Sequence, residues 1–343
     1  MGTTGCTDKR PSVVPPSREK IQREPRSSLQ FVGDVTFGNK AMNILTVAAS
    51  GGSLYATGSD FGFMKMDISA DPAQPQLIFA ARNNLSAFIN GGTFNLDRDA
   101  SGAVGVWENP SSANRYALLS GMGGTVAVDM STNVPRIVLR RPPPTAKGEP
   151  NQDFAYVYRG IIAHPSRPLF LGWTPDSFLY TLSGQDLSLQ SRVSYGDGTV
   201  CCVRNVVAWN GYMVAAFGSR LVYVPFCGDD SDSREDEAPC RSGAAFGRAT
   251  VVNSLQARYV AATSRYLYVY HEPSDGFPEG LPFRRGIYLF NAQTGDNEDV
   301  VALPINVRPR LMAVSPQDTH IYVNNDGQKL DIYRILRATR PVR

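Results

Sequence analysis

The chain has 343 residues, 42% of them hydrophobic and 10% aromatic, so it carries enough buriable surface to fold and a wholly disordered chain is excluded. Its apolar runs fall short of the roughly 18 to 20 residues that cross a bilayer as a helix. A formal net charge of +3 excludes a strongly basic nucleic-acid binder on bulk charge. The length suits about two domains or one large all-β domain.

Charge is unevenly spread along the chain. Residues 1–28 hold six bases and three acids, four prolines and almost no large apolar side chain, and are expected to be a disordered basic tether. The last ten residues add Arg334, Arg337, Arg340 and Arg343 with no acid, and residues 338–343 read as a basic tail. The body, residues 29–333, is left with 24 bases against 28 acids.

From residue 29 on, short β-branched or aromatic runs alternate with Gly, Pro and Asp, and helical periodicity is nearly absent. Leu29–Val35 reads as the first strand. A repeated unit follows, a small-residue strand, a turn, an aromatic strand and a strand ending in a polar turn. Its copies lie at 44–69, 87–139, 161–186, 206–226, 258–296 and 311–335. Units of roughly 50 residues with this content predict radial repetition of four-stranded sheets, because one small meander cannot bury both faces alone. The expected fold class is therefore all-β, a six-bladed β-propeller over 29–337, with seven blades as the alternative. The N-terminal segment would supply the outer strand of the last blade. A pair of β-sandwiches or a β-helix is the competing architecture.

Taken in chain order, the first chemical candidate is Asp97, Asp99, Ser101 and Glu108, whose spacing matches the oxygen-ligand pattern of a calcium loop. An ordinary Asp/Ser/Gly hairpin turn is the simpler reading of those residues. No other cofactor is required by the sequence. Five cysteines follow an even-plus-one pattern, Cys201, Cys202, Cys227 and Cys240 in the body and Cys6 in the tether. That arithmetic suits an exported protein with two disulfides. Cys227 and Cys240 bracket a polar insert and are the natural pair. Cys201–Cys202 would be vicinal, the four would pair otherwise, or all would be free thiols. The insert carries Asp229, Asp230, Asp232, Glu235, Asp236 and Glu237 against Arg234, a single-sign patch suited to a cation or a basic partner. Four long excursions, 97–114, 141–152, 227–248 and 271–285, are where a rigid scaffold would bind. The last contains Phe277, Phe283, Arg284 and Arg285, residue types enriched in interface hot spots.

His164, His271 and His320 share no metal-ligand spacing, and no nucleophile elbow, phosphate loop or dinucleotide fingerprint is present. The repeated sialidase box is missing. The repeated Trp of quinoprotein propellers is missing too, although Cys201–Cys202 and residues 290–296 resemble features of that family.

Residues 51–81, GGSLYATGSDFGFMKMDISADPAQPQLIFAA, resemble one blade of the bacterial LVIVD-repeat propellers. Thr3-Thr4-Gly5-Cys6 resembles the end of a bacterial lipobox, departing from it where Thr3 stands for an aliphatic residue. Together these imply a propeller lipoprotein of the periplasm or cell surface, anchored through a lipid on Cys6. They imply a non-enzymatic interaction scaffold for a protein partner in the cell envelope, monomeric in isolation and not binding nucleic acid. Two other functions remain from the residues, a metal-dependent hydrolase or lyase with its site in the central channel, and a carbohydrate-binding surface protein.

Overall fold

The computed structural model describes residues 25–36, 44–58, 62–81, 103–108, 115–121, 124–131, 136–141, 160–173, 178–194, 203–217, 220–227, 244–252, 255–273, 284–325 and 329–337. Strand β1 spans Ser27–Val35 and is followed by meanders of successive antiparallel strands. The first comprises β2 (Ile44–Ser50), β3 (Ser53–Gly58), β4 (Gly62–Asp67) and β5 (Gln76–Ala81). The second comprises β6 (Ala103–Glu108), β7 (Arg115–Gly121), β8 (Gly124–Asp129) and β9 (Arg136–Arg141). The third comprises β10 (Gly160–Ala163), β11 (Leu169–Trp173), β12 (Phe178–Ser183) and β13 (Leu189–Ser194). The fourth comprises β14 (Val203–Trp209), β15 (Tyr212–Phe217), β16 (Arg220–Pro225) and β17 (Thr250–Val252). Then come β18 (Ala257–Ala262), β19 (Tyr266–His271), β20 (Gly286–Asn291) and β21 (Asn297–Ala302), and finally β22 (Leu311–Val314), β23 (His320–Asn324) and β24 (Leu330–Leu336).

Hydrogen bonding corrects the expected blade count. The described strands form four four-stranded sheets and one eight-stranded sheet, in the order β18-β19-β20-β21-β1-β24-β23-β22. Neither six nor seven separate blades is found. The cause is β1, which takes the place expected of the N-terminal segment beside the last strand of the final meander but does not end the sheet there. It pairs antiparallel with β24 from Ser28↔Leu336 to Val35↔Leu330, and parallel with β21 at Ser27↔Val301 and Ser28↔Ala302. The Arg26 N–H donates to Val300 O at 3.1 Å, and the Ser27 hydroxyl bonds the Asp299 carboxylate. These contacts fuse two meanders that the repeat pattern counted as separate.

The innermost strands β2, β6, β10, β14, β18 and β22 adjoin in a closed cycle around a central channel. Apolar clusters fill the space between neighbouring sheets. Trp209, Val214 and Tyr223 of the fourth sheet pack on Val260, Val269 and Phe290 of the eight-stranded sheet. The two halves of the eight-stranded sheet also face one another, Tyr268 and Leu289 lying against Ile321 and Tyr333. Middle strands therefore bury both faces, which explains runs such as β19 (YLYVYH), buried at every position.

A local signature recurs at the hairpin after the third strand of a meander. Asp67, Asp129, Asp186 and Asn291 each accept, on Oδ1, the backbone N–H two residues on, at 2.7–3.0 Å. The residue between is buried in every case, Ile68, Met130, Leu187 and Ala292. The Ser69 hydroxyl and then its N–H hold the Asp67 carboxyl below the ordinary carboxylate range, and the Ser188 N–H does the same for Asp186.

Candidate functional site

The inner strands carry small residues, and this decides what the channel can do. A cavity of about 100 Å³ lies along it, lined by Val47, Val206, Val260, Ala261, Ala313 and Val314 among other aliphatic positions. Asn205 and Tyr259 bring the polar side-chain groups of that lining, and the Asn205 amide is consumed. Its Oδ1 accepts the Val260 N–H at 2.9 Å and its Nδ2 donates to Val260 O, bridging β14 to β18. Gly160 belongs to the same wall, where a Cβ would sit 2.7 Å from the Val206 Cβ, so only glycine lets β10 lie this close to β14.

One channel end opens on the hairpins that join first and second strands. A wider cavity of about 490 Å³ there is lined by Ser50, Gly51, Asn210, Gly211, Thr263 and Pro316, with Trp209 and Phe226 beneath. The feet of the acidic insert stand at this end. Cys227 is fully buried and disulfide-bonded. Its N–H donates to Ala245 O at 3.0 Å, and Phe226 bridges Phe246. His164, from the third sheet, bonds Ala245 O through Nε2 at 2.9 Å while its Nδ1 accepts the Ser166 and Arg167 N–H groups. That set requires the neutral tautomer with the proton on Nε2.

The predicted residues are placed as follows. Cys6, Cys201, Cys202, Cys240, Asp97, Asp99, Ser101, Asp229, Asp230, Asp232, Glu235, Asp236, Glu237, Phe277 and Phe283 lie outside the described residues. Glu108 is the last residue of β6, so roughly 17 Å of extended chain separates it from Ala103. The excursion 97–114, read as a single insert, thus contains an inner strand. Arg284 is exposed, and its carbonyl accepts the Tyr288 hydroxyl at 2.8 Å. The Arg285 guanidinium is committed to the carbonyls of Pro304, Ile305 and Val307 at 3.0–3.3 Å, so it fastens a neighbouring connection. The three histidines are dispersed. The His271 Nδ1 accepts the Gln256 N–H, and the His320 Nδ1 bonds the Thr319 hydroxyl. Among the described residues, no group of three or more His, Cys, Asp or Glu could hold a metal ion.

Sequence reasoning missed two features. Asn205 gives no signal, because its partner is backbone. Arg204, Arg258 and Arg310 stand at the same place in three units, CVRNVVAW, QARYVAAT and RPRLMAVS, a correspondence visible only once the units are aligned on their inner strands.

No family model matches the chain, and no curated protein matches it. Among solved structures it is similar in shape to a chain of a mitotic checkpoint complex, at 9% identity and TM-score 0.48, covering 85% of this chain and 76% of that one. It is similar also to the Cps50 (Swd1) β-propeller domain of Myceliophteria thermophila, at 9% identity and TM-score 0.49, covering 89% and 99%. A third likeness is to the WD40 repeats of RRP9, at 8% identity and TM-score 0.47, covering 92% and 100%. The expected resemblance to bacterial LVIVD-repeat lipoproteins is not upheld, since no family model matches the chain. The bacterial, outer-membrane, exported and Cys6-anchored placement, which rested on that resemblance, on the lipobox-like Thr3-Thr4-Gly5-Cys6 and on the cysteine count, is withdrawn.

Proposed function

We propose that the chain is a non-enzymatic protein-interaction scaffold. The channel lining carries this reading. Among the described lining residues the one titratable side chain is Tyr259, which burial holds in its protonated form, and the one amide is held by backbone on both sides. What remains functional is surface, rigid at the sheets and elaborated at the loops between them. The described residues that flank the acidic stretch are fixed, Cys227 by its disulfide and Ala245 by the His164 hydrogen bond.

Cross-linking mass spectrometry of the tagged full-length chain in its native cells tests the proposal. The expected result is one protein partner recovered in near-equal molar amount, with cross-links confined to one end of the channel. Recovery of no partner, together with turnover of ester or lactone substrates by the metal-loaded protein, would overturn it.

A further inference from the structure

We infer that the channel end opposite the hairpins is a seat for a carboxylate-rich peptide segment, held by Arg204, Arg258 and Arg310. The inference rests on the scaffold reading and names the chemistry of the partner. Strand register supplies the placement. Val203 pairs with Phe217 and Asn205 with Ala216, leaving Arg204 as the extra residue of a bulge. Ala257 pairs with His271 and Tyr259 with Tyr270, leaving Arg258 as the extra residue at the same place on the next inner strand. The Arg310 N–H donates to Asn324 O at 2.8 Å, and Asn324 is the partner of Leu311, so Arg310 takes the corresponding place on the third. Bulges re-aim side chains at the rims of closed β structures. Here bulges on β14 and β18, and the residue just before β22, bring an arginine to the start of three consecutive inner strands, which adjoin one another.

Among the described residues the charges at this end are not balanced. Arg204 and Arg310 are exposed, and Arg258 is half-buried with its Nε lacking a hydrogen-bond partner among the described residues. Burial first, and the Arg258 charge second, hold the Arg204 guanidinium below its ordinary pKa, so the two stand within repelling distance. A fourth guanidinium, Arg308, lies 3.8 Å from Glu272. Glu272 is also the acid that acts on Arg204. One carboxylate is thus shared among several arginines, and an external anion would relieve them.

The geometry favours carboxylates over a nucleic-acid backbone. Glu272 already demonstrates that a side-chain carboxylate sits among these arginines, and guanidinium forks match carboxylates in two-point contact.

Fluorescence anisotropy with a fluorescein-labelled decaglutamate peptide tests this, with a ten-nucleotide single-stranded DNA as the second probe. Decaglutamate should bind the full chain, weaken with added salt, and lose at least tenfold affinity in the double variant Arg204→Gln/Arg258→Gln. Glu272→Gln should tighten it, and Arg265→Gln, an exposed arginine at the hairpin end, should leave it unchanged. Should the double variant lose its thermal unfolding transition, the Glu272→Gln and salt arms decide. Absence of decaglutamate binding, an unchanged affinity in a folded double variant, weakening in Glu272→Gln, or tighter binding of the DNA would each overturn the inference. A native partner captured equally by wild type and double variant would overturn this seat while leaving the scaffold reading standing.

Discussion

Asn205→Ala is the sharpest structural test. Strand β18 is an edge of the eight-stranded sheet, and the Val260 peptide groups that face β14 have no strand to pair with. The Asn205 amide satisfies both of them, accepting the N–H and donating to the carbonyl, at a position only 8% exposed. Truncation to alanine leaves two buried backbone groups unpaired. Each such group costs about 1–3 kcal/mol, and the channel is roomy enough to admit water and soften the loss. A net destabilisation of about 2–4 kcal/mol is expected. Asn205→Asp separates hydrogen bonding from size. Its carboxylate still accepts the Val260 N–H but cannot donate to Val260 O, so at pH 7 it should cost at least as much as alanine. Urea unfolding at 25 °C, followed by tryptophan fluorescence, reads both. A loss below about 0.5 kcal/mol for Asn205→Ala, a change no larger than an ordinary surface substitution, or wild-type stability for Asn205→Asp, would refute the reasoning.

Three further outcomes follow from the geometry. Gly160→Ala should destabilise by about 1–3 kcal/mol in the same assay, and Val206→Ala should not rescue it, because the added Cβ also meets the Val206 Cβ and N at 2.7 and 2.9 Å. Deleting residues 1–35 removes the strand that joins the two halves of the eight-stranded sheet, so β21 and β24 become free edges; size-exclusion chromatography should show association or aggregation where the full chain shows neither. Burial first, and Arg334 second, push the His320 pKa below 6.5, with Asp71 opposing. The folded state therefore prefers the neutral ring, so its contribution is complete above about pH 6.5 and is lost as pH falls from there toward the lowered value. His320→Asn should flatten the stability profile between about pH 7 and pH 5, and an unchanged slope would count against this assignment.

The strands most legible in the sequence are those buried on both faces, such as β15 (YMVAAF), β19 and β20, where apolar residues run four or more in a row. Outer strands were harder. β13 reads LQSRVS, with exposed polar residues and no alternation to betray it, and β17 is three residues long. β6 was hidden because Asp97, Asp99, Ser101 and Glu108 drew the reading toward a loop, when AVGVWE between them is an inner strand. The pairing that fuses the last two meanders involves Ser27 and Ser28 against Val301 and Ala302. Backbone hydrogen bonds between such residues leave no mark on composition, so a count of repeats overestimates the count of sheets. The site obeys the same logic. Residues that act on backbone, Asn205 and Arg285, look like any polar residue in a strand or loop. Arg204, Arg258 and Arg310 carry a signal only through their register.

Native mass spectrometry of the full-length chain, purified under mild conditions from its own cells, tests the scaffold claim most directly. The account predicts a discrete complex with a protein partner, which dissociates as salt is raised. A chain that emerges alone, retains a divalent ion and turns over a small substrate would contradict it.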